Sequence, residues 1–279
     1  MKTNIIDLYA YFGIKKPTDT KGTLTTYILD NSEEISLNRT RPAMLVIPGG
    51  AYAMCSFREA EPIAIQYLAK GFCSFVLDYS VAPIAYPYQL LEACMAMIYI
   101  RENARMLNVD DGHVAAIGFS AGGHLTGMLA IMWDEIEVKN ILGDKIKLAR
   151  PDAVVLSYPV ISSKEIAHKG SIVNLTGNKA ELFSKFSLED RVNENSVPAF
   201  IWTTADDTCV PAENALVFAC AYKKYNIPFE LHIFPSGNHG LALATAETTT
   251  SNHGINVSAA QWLNLTDLWF KSRGFEIKN

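Results

Sequence analysis

Residues 118–122 read Gly118-Phe119-Ser120-Ala121-Gly122, and they join an apolar run at 113–117 to a helix-compatible stretch at 124–133. A serine at so tight a strand-to-helix corner has glycine two positions to either side, because larger side chains would collide with neighbouring strands. Such a corner raises the hydroxyl above the sheet edge and directs the first amides of the following helix toward whatever the hydroxyl contacts. The five residues alone are equally compatible with an ordinary glycine-serine turn.

Strand and helix patterns alternate on both sides of this corner. Apolar runs predict buried strands at 43–47 and 72–77, and further strands are predicted at 114–117, 153–156, 199–203 and 229–234. Helical spacing predicts helices at 61–71, about 87–105, 211–225 and 255–270. Before residue 38, short strand-like segments such as 24–29 are separated by turn residues, and they predict an antiparallel edge of the sheet. The chain is therefore predicted to be α/β, a mostly parallel sheet with helices on both faces, in a single domain over 1–279.

One connection is longer than a simple crossover requires. The insert, residues of about 162–197, carries mixed polar and aromatic side chains, among them His168, Leu182, Phe183 and Phe186. We predict that the insert folds over the site as a small cap. A helical decoration that lies away from the site is the alternative.

The composition restricts the class of ligand. A formal net charge of -5 with scattered Lys and Arg provides no basic face for nucleic acid or an anionic membrane, so a small molecule is expected. Five cysteines without paired or metal-ligand spacing suggest buried free thiols in a reducing compartment and no metal site. Asp7 interrupts any apolar signal segment and no stretch is long enough to span a bilayer, so we expect a cytoplasmic protein. No cofactor is expected, and a homo-oligomer is left open.

If Ser120 is a nucleophile, a base must take its proton and a carboxylate must orient that base. Loops after two later strands supply both, in the order serine, aspartate, histidine. Asp207 is preferred over Asp206 because it stands three residues before Val210-Pro211, where the next helix begins. His239 is preferred over His253, which lies well past the end of its strand.

Acyl attack also needs amide donors for the oxyanion. Ala121 should supply one amide from the helix start, and Gly50 or Ala51 should supply the other from the glycine loop that follows strand 43–47. A plain turn is the alternative for that loop. Gly49 and Tyr52 of the same loop are predicted to contact substrate.

The other histidines lack such a context. His232 falls within a predicted strand, His113 precedes one, and His168 lies in the insert. His124 follows the start of the helix after Ser120, and we interpret it as packing beneath the site, with a substrate contact as the alternative.

Together these segments resemble the α/β-hydrolase superfamily, and within it the small esterases grouped with acetyl-xylan esterases and lipase-like carboxylesterases. The likeness extends from about residue 40 to the C-terminus and rests on residues 48–52, 58–62, 118–124, 207–211 and 238–241. It implies the α/β-hydrolase fold, a triad of Ser120, Asp207 and His239, and hydrolysis of short acyl esters, with acetyl groups on sugars as one candidate. Pro48 and Ala51 depart from the histidine and third glycine of many relatives.

The leading hypothesis is a serine carboxylesterase that works through an acyl-enzyme and needs no metal. A peptidase of the same fold is the first alternative, although no added gating domain is evident. A binding module with an inert triad is the second alternative, because a fold does not fix a function.

Overall fold

A computed structural model describes all residues, 1–279, and centres on one eight-stranded sheet. The strands are β1 (Ile5–Asp7), β2 (Thr23–Tyr27), β3 (Arg41–Ile47), β4 (Cys73–Asp78), β5 (Val109–Phe119), β6 (Ala153–Ser157), β7 (Ala199–Thr204) and β8 (Phe229–Phe234). Their order is β1-β2-β4-β3-β5-β6-β7-β8. β1 and β2 pair antiparallel at one edge, and β4, β3, β5, β6, β7 and β8 pair in parallel. The predicted antiparallel edge and mostly parallel sheet are confirmed.

Nine α-helices accompany the sheet. They are α1 (Leu8–Phe12), α2 (Glu61–Ala69), α3 (Tyr88–Glu102), α4 (Ala104–Leu107), α5 (Ala121–Ile131), α6 (Ile136–Leu142), α7 (Lys169–Thr176), α8 (Glu213–Lys224) and α9 (Trp262–Lys271). None of them is both long enough and apolar enough to cross a membrane.

The sheet separates two apolar cores, and every residue of β3 is buried between them. Alternate residues of β3 belong to different cores, because successive side chains of a strand point to opposite faces. Ala43, Leu45 and Ile47 join the core that holds α3, α5 and α8, whereas Met44 and Val46 join the core that holds α2 and α9. Helices therefore cover both faces, as predicted.

The structure corrects two predicted helices. The predicted helix at 255–270 begins only at Trp262, because the Asn256 carboxamide accepts a hydrogen bond from the Ala259 amide and donates one to the Ser236 carbonyl. These local bonds compete with helical pairing, and short 3₁₀ turns form at Asn252–Gly254 and Ala259–Gln261. The predicted helix at 87–105 is interrupted at Asn103, which separates α3 from α4.

All five cysteines are free thiols, but their burial differs from the prediction. Cys73 and Cys94 are buried and Cys55 is half-buried. Cys209 and Cys220 are exposed, so the expectation of uniformly buried thiols is wrong. Both lie beyond the apolar strand runs, Cys209 on the loop after β7 and Cys220 on α8.

Candidate active site

Ser120 occupies the corner between β5 and α5 with a positive φ of 53°. A Cβ on Gly118 would lie 2.1 Å from the Gly122 carbonyl oxygen, and one on Gly122 would lie 2.2 Å from the Ile47 carbonyl oxygen. Because no side chain fits at those distances, both glycines are required for this close approach. Left-handed backbone at a serine is strained and is typical of functional sites.

Three predicted residues from separate loops meet at this corner. His239 Nε2 lies 2.8 Å from Ser120 Oγ, and His239 Nδ1 lies 2.7 Å from Asp207 Oδ2. Because a carboxylate accepts hydrogen bonds only, Nδ1 carries the proton and Nε2 is free to accept from the serine hydroxyl. Asp207 is buried, and its Oδ1 accepts from the amides of Cys209 and Val210 at 2.9 and 3.0 Å. The carboxylate is thereby fixed in the direction of His239.

The competing aspartate and histidine lie elsewhere. Asp206 is exposed, and its carboxylate accepts a hydrogen bond from the Gly237 amide at 2.7 Å. This bond joins the loop after β7 to the loop that carries His239. His253 is exposed on a 3₁₀ turn and makes no contact with Ser120. Of the two candidates of each type, Asp207 and His239 are therefore the ones connected to Ser120 by hydrogen bonds.

The glycine loop after β3 adopts left-handed backbone at three consecutive residues, with φ of 124° at Gly50, 57° at Ala51 and 55° at Tyr52. The carbonyl oxygen of each of these three residues accepts at least one hydrogen bond. Gly50 accepts from Ala53 and Met54, Ala51 accepts from the Asn174 carboxamide at 2.9 Å, and Tyr52 accepts from the Ala82 amide at 2.7 Å. The amides of Gly50 and Ala51 donate to no other protein group. Ala121 begins α5, where an amide has no partner within its helix.

The structure corrects the predicted substrate contacts of Gly49 and Tyr52, because neither lines the cavity next to Ser120. Tyr52 is fully buried, and its hydroxyl lies 2.9 Å from His124 Nδ1. His124 Nε2 in turn lies 3.0 Å from the Phe186 carbonyl oxygen. Tyr52 and His124 therefore connect the glycine loop to the insert beneath the site.

Glu59 is a buried site residue to which sequence reasoning assigned no role. Its Oε2 accepts from the Gly49 amide at 2.9 Å and its Oε1 accepts from the Tyr158 hydroxyl at 2.7 Å. The Tyr158 oxygen accepts from the Ala242 amide, and its ring packs edge-on against His239 at 5.1 Å. Burial raises the pKa of Glu59, and the bonds from Tyr158 and Gly49 act in the opposite direction. One carboxylate thus joins the glycine loop to the histidine loop.

The site opens into a cavity of about 670 Å³. Ser120 and His239 lie in its wall, and His168 of the insert also lines it. The remaining lining residues are Gly50, Ala51, Ala53, Met54, Ser56, Phe57, Arg58, Glu59, Cys209 and Gly240. Among the described residues, 1–279, no group of three or more His, Cys, Asp or Glu side chains is arranged to hold a metal ion.

The family model for BD-FAE matches residues 29–221. The chain belongs to the BD-FAE family. Two curated relatives of this BD-FAE chain are endo-1,4-beta-xylanase B of Butyrivibrio fibrisolvens, 40% identical over 79% of the chain, and an acetylxylan esterase of Xylanibacter ruminicola, 30% identical over 75%. The chain spans only 36% and 42% of the lengths of these two relatives.

Solved structures cover the BD-FAE chain almost completely. An acetyl ester-xyloside bifunctional hydrolase from Caldicellulosiruptor lactoaceticus is 36% identical with a TM-score of 0.83, over 98% of this chain and 97% of that one. A carboxylesterase from Lactobacillus plantarum WCFS1 is 27% identical with a TM-score of 0.84, over 100% of both chains. Both neighbours are hydrolases, and their likeness over the whole chain confirms the predicted α/β-hydrolase fold.

Proposed function

We propose that this domain is a serine esterase that hydrolyses short acyl esters, acetyl esters foremost, by way of an acyl-enzyme. The hydrogen-bond chain from Asp207 through His239 to Ser120, next to the free amides of the glycine loop, is the observation that carries this proposal. A small-molecule ester is the substrate class that such a site accommodates.

In the proposed mechanism, Ser120 Oγ attacks the ester carbonyl carbon while His239 Nε2 takes the hydroxyl proton. The carbonyl oxygen gains the negative charge and accepts hydrogen bonds from the amides of Ala121 and of Gly50 or Ala51. His239 then protonates the leaving alcohol oxygen as its bond to carbon breaks. Water, activated by the same imidazole, repeats the sequence on the acyl-serine and releases the acid. Asp207 keeps the imidazole in the required tautomer throughout.

Acetylated sugars are the proposed alcohol class. Support comes from the relatives described as an acetylxylan esterase and an acetyl ester-xyloside hydrolase. We also infer that the insert limits acyl length, because His168 lines the cavity and Asn174 holds the Ala51 carbonyl.

A series of p-nitrophenyl esters from acetate to octanoate tests the proposal. Activity should be greatest for acetate, as measured by kcat/KM, and p-nitroacetanilide should be a far poorer substrate than p-nitrophenyl acetate. An activity peak at octanoate would contradict the short-acyl assignment. Faster cleavage of the amide would instead favour the peptidase alternative.

A further inference from the structure

A second cavity of about 180 Å³ adjoins the catalytic cavity and shares Arg58, His239 and Gly240 with it. Its other lining residues are Asn238, Leu241, Thr249, Ser251, His253 and Gly254. None of these nine residues is an aspartate or glutamate, although the chain contains 29 acidic residues. A wall with a guanidinium, imidazoles and hydroxyls offers hydrogen-bond donors and positive charge to an anion, and it contains no carboxylate that would repel one.

The Arg58 guanidinium is available for such an anion. Its side chain is exposed, makes no hydrogen bond and forms no ion pair within 4.0 Å. It lies against Gly240, where a Cβ would be 2.9 Å from Arg58 Nη2. The Glu59 carboxylate also lies close to Gly240, but it is buried and already accepts two hydrogen bonds. Glu247 lines a neighbouring cavity that also contains Arg58, but the two side chains form no ion pair.

Two further donors line the same cavity. Ser251 Oγ accepts from the His253 amide, while its own hydroxyl hydrogen has no acceptor within the protein. The His253 side chain is exposed and unpaired. The cavity lining therefore includes the fork of an arginine, a hydroxyl and an imidazole, a set of groups that suits the two oxygens of a carboxylate.

The chemistry of ester cleavage decides which part of the substrate reaches this cavity. The leaving oxygen must come within hydrogen-bonding distance of His239 Nε2 in order to take its proton. The alcohol part therefore extends from the His239 side of the site, and the smaller cavity lies directly next to His239 and Gly240. This step rests on the proposed esterase function.

We propose that the smaller cavity is a carboxylate-binding subsite for the alcohol part of the substrate, with Arg58 as its main cation. The preferred substrates are then acetyl esters of alcohols that carry a carboxylate, such as acidic sugars or hydroxy acids. Binding there is noncovalent, and the esterase reaction itself is unchanged.

The test compares matched esters. The compounds 3-acetoxybenzoate and 4-acetoxybenzoate place a carboxylate at two distances from the ester, and their methyl esters are neutral counterparts. For each pair the ratio of kcat/KM, acid over methyl ester, is measured in wild type, Arg58→Gln and Arg58→Lys. Because the ratio is compared between proteins, the different leaving-group strengths of acid and methyl ester cancel.

For at least one pair, Arg58→Gln should lower the ratio about tenfold or more, the size expected for loss of one charge-assisted hydrogen bond. Arg58→Lys should give an intermediate ratio because it keeps the charge and loses the fork. Arg105→Gln is the matched control, since Arg105 is an exposed arginine on α4 without an ion pair. Ratios that are the same in Arg58→Gln and wild type for both pairs would overturn the subsite. If wild type hydrolyses none of the four esters, acids and methyl esters alike, the esterase assignment itself fails, and the subsite fails with it.

Discussion

Acidification from pH 7 to pH 5 should destabilise the protein through one buried histidine. His124 is fully buried between the Tyr52 hydroxyl and the Phe186 carbonyl. Because a carbonyl only accepts, Nε2 carries the proton, and Nδ1 accepts from Tyr52. Burial lowers the pKa of His124 from its ordinary 6.5 to about 4, and the hydrogen bond to Phe186 opposes this shift only in part.

The sign and size of the effect follow from linkage. Between pH 6.5 and about 4, the unfolded chain binds a proton at this histidine and the folded chain does not. The contribution of His124 to the free energy of unfolding is therefore fully present above pH 6.5 and is lost as the pH falls through that interval. Between pH 7 and pH 5 the free energy of unfolding should fall by about 2 kcal/mol from this group alone. Other groups titrate as well, so the effect must be isolated by substitution.

The variant His124→Gln keeps both hydrogen bonds, because its amide can donate to Phe186 and accept from Tyr52, but it does not titrate. Urea unfolding followed by tryptophan fluorescence at pH 7, 6 and 5 gives the free energy of unfolding for both proteins. We expect the wild type to lose about 2 kcal/mol more than His124→Gln over this range. His253→Gln, at an exposed site, is the control and should follow the wild type. Equal losses in wild type and His124→Gln would refute the reasoning.

Three further predictions concern the catalytic residues and the groups that hold them in place. Asp207→Asn should lower kcat about a thousandfold or more because the imidazole loses the partner that fixes its tautomer, whereas Asp206→Asn should lower kcat by less than about tenfold; similar losses in the two variants would contradict the assignment. Tyr158→Phe leaves the Glu59 carboxylate and the Ala242 amide each short of a partner, so the free energy of unfolding in urea should fall by about 2 kcal/mol or more, and an unchanged value would count against that network. Asn174→Ala frees the Ala51 carbonyl and should lower kcat for p-nitrophenyl acetate about tenfold with little change in KM; a change confined to KM would show that the contact does not organise the glycine loop.

Much of the site could be predicted because its parts follow strands that the sequence marks clearly. Ser120, Asp207 and His239 each follow a predicted strand, and parallel strands bring their carboxyl ends to the same edge of the sheet. The alternation of apolar strand segments with segments of helical spacing was sufficient to predict the α/β fold, and the short segments before residue 38 were sufficient to predict the antiparallel edge.

Other features depend on contacts between residues far apart in the chain. Glu59 and Tyr158 are separated by 99 positions, and His124 and Phe186 by 62, so no local pattern connects them. The same limit explains the error at Tyr52, whose side chain is directed by His124 and not by its loop. β1 and α1 were missed because segments of three and five residues are too short to show a period.

The central claim is that Ser120 is the nucleophile, and covalent labelling tests it most directly. Wild type is treated with a fluorophosphonate, digested, and the labelled peptide located by mass spectrometry, in parallel with Ser120→Ala and Asp206→Asn. One phosphonyl group on Ser120, with loss of p-nitrophenyl acetate hydrolysis in proportion to labelling, no label in Ser120→Ala and normal labelling of Asp206→Asn, is the predicted result. Labelling of Ser120→Ala to the wild-type extent, or full activity in wild type labelled at Ser120, would contradict the account.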